Sequence, residues 1–186
     1  ASATMRFYEA PIQIVEYADL LCSDCRILHE QLKRLKPEFE GKLNVAFQFF
    51  PLDARCNDVV EKDKHPGACD LSYMAAHDPD LFLTVHDRVF ENFEAAKDPA
   101  WRDALARELG LEEAVNDPVT IAAVQRLIET GREYDRTSDE FAHGIRSTPT
   151  MIINNRMVIG TFPDAQMRAL FQALIDEAEE GDRGFL

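Results

Sequence analysis

No run of apolar residues in this sequence approaches the ~20 needed to cross a bilayer as a helix. No basic segment followed by an apolar one opens the chain, so no secretory leader is legible and the compartment stays open on that ground. The first residue is Ala1 rather than Met, and the expectation is a mature or excised domain whose targeting segment or membrane anchor has been removed. Basic residues are scarce: 20 Lys and Arg stand against 34 Asp and Glu, a formal charge of −14. Nucleic acid and anionic lipid are bound through clustered Lys and Arg, so this balance speaks against both as partners. It reads instead as a solvated acidic surface that favours solubility. No glycine-rich phosphate loop, nucleophile elbow, internal repeat or low-complexity stretch occurs, and no cofactor or metal requirement is expected. What remains, 186 residues with 46% hydrophobic content, is an ordinary globular composition, enough for one domain or a core with an insertion.

Cysteine is also sparse, at four residues, which allow three pairings if all are bridged. Cys22 and Cys25 are too close in sequence to staple a loop, which leaves Cys56 and Cys69 as the natural second pair. A structural disulfide favours an oxidising compartment such as a periplasm or the cell exterior.

Periodicity organises the rest. Ile12-Gln13-Ile14-Val15-Glu16-Tyr17 is β-branched and bounded by Pro11 and Asp19, so a strand is predicted there. From Cys25 the period changes: Leu28, Leu32, Leu35 and Phe39 share a helical face, with a stop or kink at Pro37. Leu43, Val45, Phe47 and Phe49 alternate with Asn44, Ala46 and Gln48, a second strand with one apolar face. Strand, helix and strand make a βαβ unit, hence a parallel pair. Residues 53 to 69 read as irregular. Asp78-Pro79, Asp98-Pro99 and Asp117-Pro118 each resemble an N-cap followed by proline at the first helical position. Thr150 to Asn154 and Met157 to Ile159 read as strands joined at Asn154-Asn155-Arg156, and Met167, Leu170, Phe171, Leu174 and Ala178 form the stripe of a last helix. Gly181 to Leu186 read as loose. The predicted organisation is a thioredoxin-like N-terminal part over 1–69, a helical insertion over 70–143 and a C-terminal ββα part over 144–186.

The chemistry is carried by Cys22-Ser23-Asp24-Cys25 at a strand-to-helix junction. A cysteine at a helix N-terminus has its thiolate favoured by unpaired N–H groups and the macrodipole. That thiolate attacks a disulfide, and a cysteine one turn on resolves the mixed disulfide. Cys22 is therefore read as the exposed nucleophile and Cys25 as the sheltered resolving thiol. A zinc site is the alternative, with His65 and Cys69 as the second half, against the usual compact ligand spacing.

Val15-Glu16-Tyr17-Ala18-Asp19 followed by this motif resembles the active-site segment of the DsbA-like branch of the thioredoxin superfamily. Ser147-Thr148-Pro149-Thr150 before Met151-Ile152-Ile153 resembles that family's cis-proline loop, at the distance a helical insertion requires. The resemblance implies an α/β thioredoxin-like fold with an inserted helical subdomain, and thiol–disulfide exchange with extended protein or peptide substrates pairing at Thr148 and Pro149. It also implies a buried acid at Glu16, able to handle the resolving cysteine's proton; the alternative is a solvent-facing Glu16. Cys56-Asn57 with His65-Pro66-Gly67-Ala68-Cys69 is similar to DsbA-like domains fused to, or partnered with, bacterial homologues of vitamin K epoxide reductase. That similarity implies an extracytoplasmic oxidant recharged by a quinone-linked membrane partner. Strong oxidants of the family carry Pro-His between the cysteines; Ser23-Asp24 here puts a carboxylate near Cys22, which implies a less stabilised thiolate and a less oxidising couple. A disulfide reductase or isomerase is the alternative activity, and a zinc-stabilised binding module the alternative of another class. His29, one turn past Cys25, reads as an ordinary half-buried histidine, and His65, His77, His86 and His143 have no partner identifiable from sequence.

Overall fold

Alternation in the first strand assigns its two faces. In β1 (Ile12–Ala18) Ile12 and Ile14 point to one side, Val15 and Tyr17 to the other, and Glu16 follows the isoleucines by the two-residue period. The computed structural model describes residues 9–136 and 144–183. Helix α1 (Ser23–Leu35) follows β1, and Pro37, which has no N–H to donate, tightens the chain into a 3-10 turn over Lys36–Phe39. Strand β2 (Leu43–Phe49) then pairs parallel with β1, Ile12 opposite Leu43 through Ala18 opposite Phe49. Strands β3 (Thr150–Ile153) and β4 (Arg156–Ile159) complete the sheet in the order β2-β1-β3-β4, with β3 antiparallel to both neighbours.

Between β2 and β3 run α2 (Ala68–His77), α3 (Phe82–Glu91), α4 (Pro99–Leu109) and α5 (Pro118–Arg132), and α6 (Asp164–Arg183) closes the chain. Two apolar clusters follow from the two faces of β1. Ile12, Ile14, Leu28, Leu32, Leu35, Met151, Met167 and Phe171 bind α1 and α6 to one face. Tyr17, Phe50, Leu71, Met74, Val85 and Ile128 bind the inserted helices to the other. Each fully buried Leu or Phe contributes about 1.5–3 kcal/mol, so both layers are held by transfer from water. The sheet and helices realise the thioredoxin-like architecture with a helical insertion that the motifs imply.

Five details depart from expectation. β2 is an edge strand, and only its first and last residues are fully buried. Asp98 and Asp117 cap α4 and α5 as predicted, accepting from Ala100 N at 2.9 Å and Thr120 N at 3.0 Å, but Asp78 caps nothing. It is the extended residue that follows α2, its carboxylate accepts the N–H of Asp80 at 2.9 Å, and α3 begins only at Phe82. The hairpin turn is Asn154-Asn155 alone, both at positive φ (46° and 65°), so Arg156 already belongs to β4. α6 continues through Arg183 because its buried stripe, extended by Ile175, carries the helix on; residues 184–186 of the expected loose end lie outside the described residues.

The fifth departure bears on the site. The stretch after β2 becomes helical at Ala68, which puts Cys69 in the first turn of α2. Gly67 precedes it at φ 98° and has no side chain to cap the helix. Asp53 supplies the missing acceptor from a distance: its Oδ2 takes the N–H of Gly67 at 2.9 Å and of Cys69 at 3.2 Å. A Cβ at Gly67 would collide with the buried Arg102 guanidinium, so the position requires glycine on two grounds.

Candidate active site

Cys22 is the N-cap of α1, with extended φ/ψ of −87° and 121°, and its Sγ accepts the N–H of Cys25 at 3.3 Å. Its thiol also lies 3.3 Å from the Thr148 carbonyl oxygen, to which it donates. The Thr148–Pro149 peptide bond is cis, as the motif implies, and Thr150 Oγ1 donates to Ser147 O at 2.7 Å beside it. Cys22 is only 5% exposed, which corrects the exposed nucleophile expected from its place at the helix start. Cys25 is fully buried, and both thiols are free.

The two sulfurs have opposite electrostatics. Hydrogen bonding from Cys25 lowers the Cys22 thiol most; burial opposes it, the Thr148 hydroxyl and the Cys25 N–H add to it, and the result is a pKa of about 6. Thr148 Oγ1 is buried and has no partner at ordinary hydrogen-bond geometry among the described residues. Burial pushes the Cys25 thiol well up, and its place beside the Cys22 sulfur adds to the rise. Asp24, read from the sequence as a carboxylate acting on Cys22, is not among the groups that set this value. Ser23 and Asp24 lie exposed on the first turn of α1, and the charge that opposes the Cys22 thiolate comes from Asp19 instead.

Glu16 is 5% exposed, on the face of β1 that α1 covers, so the buried alternative is the one realised. Burial first, then the charge of Cys22, raises its pKa from 4.5 to about 8. A charge interaction with Glu16 also contributes to the rise at Cys25.

Asp19 was legible as the strand boundary and the end of the segment that carries the family resemblance, with no role of its own. Its fully buried carboxylate accepts Leu21 N and Leu52 N, both at 2.6 Å, and meets His65 Nδ1 at 2.8 Å. Its own N–H points at Cys25 Sγ, 3.5 Å away, and its carbonyl accepts Cys22 N at 3.1 Å. One residue thus ties the active-site turn to the segment after β2. Burial lowers the His65 pKa, but hydrogen bonding and charge from Asp19, with the charge of Cys22, outweigh it and leave it above the ordinary value. The absence of a partner read for His65 is corrected here; His77 meets Thr120 Oγ1 at 2.8 Å and His86 meets Asp87, while His143 lies outside the described residues. A polar residue ending a strand just before a helix start was the available signal for Asp19. No local signal joined it to His65, 46 residues away.

Cys56 and Cys69 form a disulfide, with Cα atoms 6.1 Å apart, as their sequence positions suggested. With Cys69 bridged, the zinc set of Cys22, Cys25, His65 and Cys69 is not available, and His65 is engaged by Asp19. Among the described residues no helix is long and apolar enough to cross a membrane.

The sequence model of the thioredoxin family matches residues 8–177, nearly the whole chain, and the chain belongs to that family. Over 87 residues it is 31% identical to a Bacillus cereus protein named probable disulfide bond formation protein D, a match covering 45% of this chain and 37% of that one. The matched segment thus spans little more than a third of that relative's length. Among solved structures it is similar to Wolbachia pipientis alpha-DsbA1, with a TM-score of 0.69 at 17% identity over 93% of this chain and 90% of that one. A linker-deletion variant of Proteus mirabilis ScsC gives 0.65 at 16% identity over 90% and 71%. At such identities the likeness is one of fold, and the fold is the DsbA-type thioredoxin-like one.

Proposed function

We propose that this protein is a thiol–disulfide oxidoreductase that oxidises extracytoplasmic protein thiols through Cys22 and Cys25. The observation that carries the reading is the opposed poise of the pair: Cys22 at about 6 under hydrogen bonds to its sulfur, Cys25 buried and pushed well up. A stabilised thiolate makes Cys22 the better leaving group and favours the reduced form, so the disulfide form tends to oxidise its partner.

In the forward direction a substrate thiolate attacks Cys22 Sγ of the Cys22–Cys25 disulfide. The sulfur–sulfur bond breaks, Cys25 leaves as thiolate and takes up a proton, for which the protonated Glu16 is the nearest acid in this reading. A second substrate thiolate then attacks its neighbour's sulfur in the mixed disulfide and expels Cys22 as thiolate, into the hydrogen bond from Cys25 N. The substrate leaves with a disulfide and the enzyme holds the Cys22 thiolate and the Cys25 thiol, so two electrons have moved. An extended substrate pairs its main chain at Thr148 and Pro149. Residues 1–69 and 144–186 supply this thioredoxin-like part, and 70–143 the inserted helices over one sheet face. The Cys56–Cys69 bridge supports an oxidising compartment, a periplasm or cell exterior. Recharging falls to a quinone-linked membrane partner of the kind that vitamin K epoxide reductase homologues provide, in keeping with the resemblance of the Cys56 to Cys69 segment.

Redox equilibration of the Cys22/Cys25 couple with glutathione tests the direction. A thiol pKa near 6 lies between those of thioredoxin and DsbA, so the potential is expected between about −270 and −120 mV. A value at or below about −270 mV would make the protein a reductase.

A further inference from the structure

On the sheet face that holds Glu16, the first turns of α1 past Cys25 and the middle of α3 enclose a groove of about 300 Å³, lined by Glu16, His29, Lys33, Phe47, His86 and Asp87 among others. One donor atom from each of His29, His86 and Asp87 lies within 4.8 Å of the other two. We propose that these three side chains form a binding site for a borderline divalent cation of the Zn2+ type, separate from the cysteine pair.

The distances carry it. Asp87 Oδ1 sits 3.5 Å from His29 Nε2 and 3.4 Å from His86 Nδ1. Both are long for a hydrogen bond between imidazole and carboxylate, which closes to about 2.7–2.9 Å when made well. They are the lengths of tetrahedral edges: ligands about 2.0–2.1 Å from a common zinc ion stand about 3.3–3.5 Å apart. Two edges of the triangle thus already have the separation a metal imposes, and the third, between the imidazoles, lies inside the 4.8 Å limit.

The surroundings support the same assignment. The rings of His29 and His86 meet edge to face, 4.4 Å apart and 72° inclined. His86 is walled by Phe47, Phe82 and Phe90 at 4.7–5.5 Å, which fixes its ring. Two imidazoles and one carboxylate are the donor set of an open zinc site, with the fourth position facing the groove. The three residues come from two helices that sequence periodicity treated separately, and His86-Asp87 are adjacent in the chain, so no spacing motif announced them.

The test is Zn2+ titration by calorimetry of the full chain in its Cys22–Cys25 disulfide form, where no free thiol competes. One equivalent is expected to bind, with His29→Gln and Asp87→Asn each weakening the affinity at least about tenfold. Both substitutions are at partly exposed positions; His86→Gln, in the core, serves as a third arm read by Co2+ absorption, where loss of the tetrahedral bands is expected. No binding to the disulfide form overturns the site, as does binding only after reduction, or binding that none of the three substitutions weakens. Because the oxidised protein is used, failure here leaves the redox reading untouched, and failure of that reading leaves this site untouched.

Discussion

Glu16 and Asp19 stand on the same strand end, both carboxylates buried, and they have opposite surroundings. Asp19 is met by two backbone N–H groups and an imidazole, all within 2.8 Å. Glu16 accepts no hydrogen bond from any described residue, and burial drives its pKa to about 8. Burial does not by itself decide what a carboxylate is for. With partners it becomes a fixed charge that organises chain segments; without them it holds its proton and becomes a proton store. Here the first kind ties the turn before α1 to the disulfide-bridged segment, and the second lies on the sheet face that α1 covers.

The comparison breaks most directly at Asp19. Asp19→Ala leaves the N–H groups of Leu21 and Leu52 buried without an acceptor and strips His65 of its partner. A loss of about 3–5 kcal/mol is expected in urea unfolding. A loss below 1 kcal/mol would mean that the organising charge lies elsewhere.

Glu16→Gln is expected to do the reverse. A carboxyl whose folded pKa lies above its unfolded value binds more protons in the native state between pH 4.5 and about 8, so its contribution to stability falls as pH rises through that window. The substitution removes that slope, making the variant more stable than wild type at pH 8 by a few kcal/mol and little different at pH 4.5. The groove lets water approach, which holds the figure below the full linkage value. Unfolding of the disulfide form at both pH values checks it; parallel profiles would show that Glu16 is ionised in the fold. Exchange with a model dithiol should slow in the same variant.

His65→Gln sharpens the contrast, because it unmasks the Asp19 charge while removing the imidazolium. Both changes disfavour the Cys22 thiolate, so its pKa should rise by up to about one unit, about 1.4 kcal/mol. Thiolate absorbance against pH reads this directly, and an unchanged titration would disconnect His65 from the sulfur. The smallest effect belongs to Asp24→His. The side chain is exposed and solvent-screened, so the potential should move by less than about 20 mV, corresponding to a surface interaction below about 1 kcal/mol. A shift of several tens of millivolts would return the poise to the dipeptide.

Much of this site was legible in one dimension because its parts are local. A strand period of two put Glu16 on the face of Ile12 and Ile14. The helix start at Cys22, the Ser147-to-Thr150 loop and the disulfide between Cys56 and Cys69 each depend on residues close in sequence or on type and order. The groups that set the Cys22 thiolate were less legible. Asp24 is the nearest acid along the chain, whereas the acid that acts on the sulfur is Asp19, three residues upstream, and Thr148 arrives only through the fold.

By itself, then, the sequence determined the elements, their order and the reactive pair, because periodicity, capping and the reach of neighbouring residues are properties of a short stretch of chain. Only the tertiary structure decided which charges those cysteines feel. His65 reaches Asp19 across 46 residues, the Thr148 carbonyl reaches Cys22 across 126, and His29 reaches Asp87 from another helix. Electrostatic influence falls with distance in space and with intervening water, and neither quantity exists until the chain has packed.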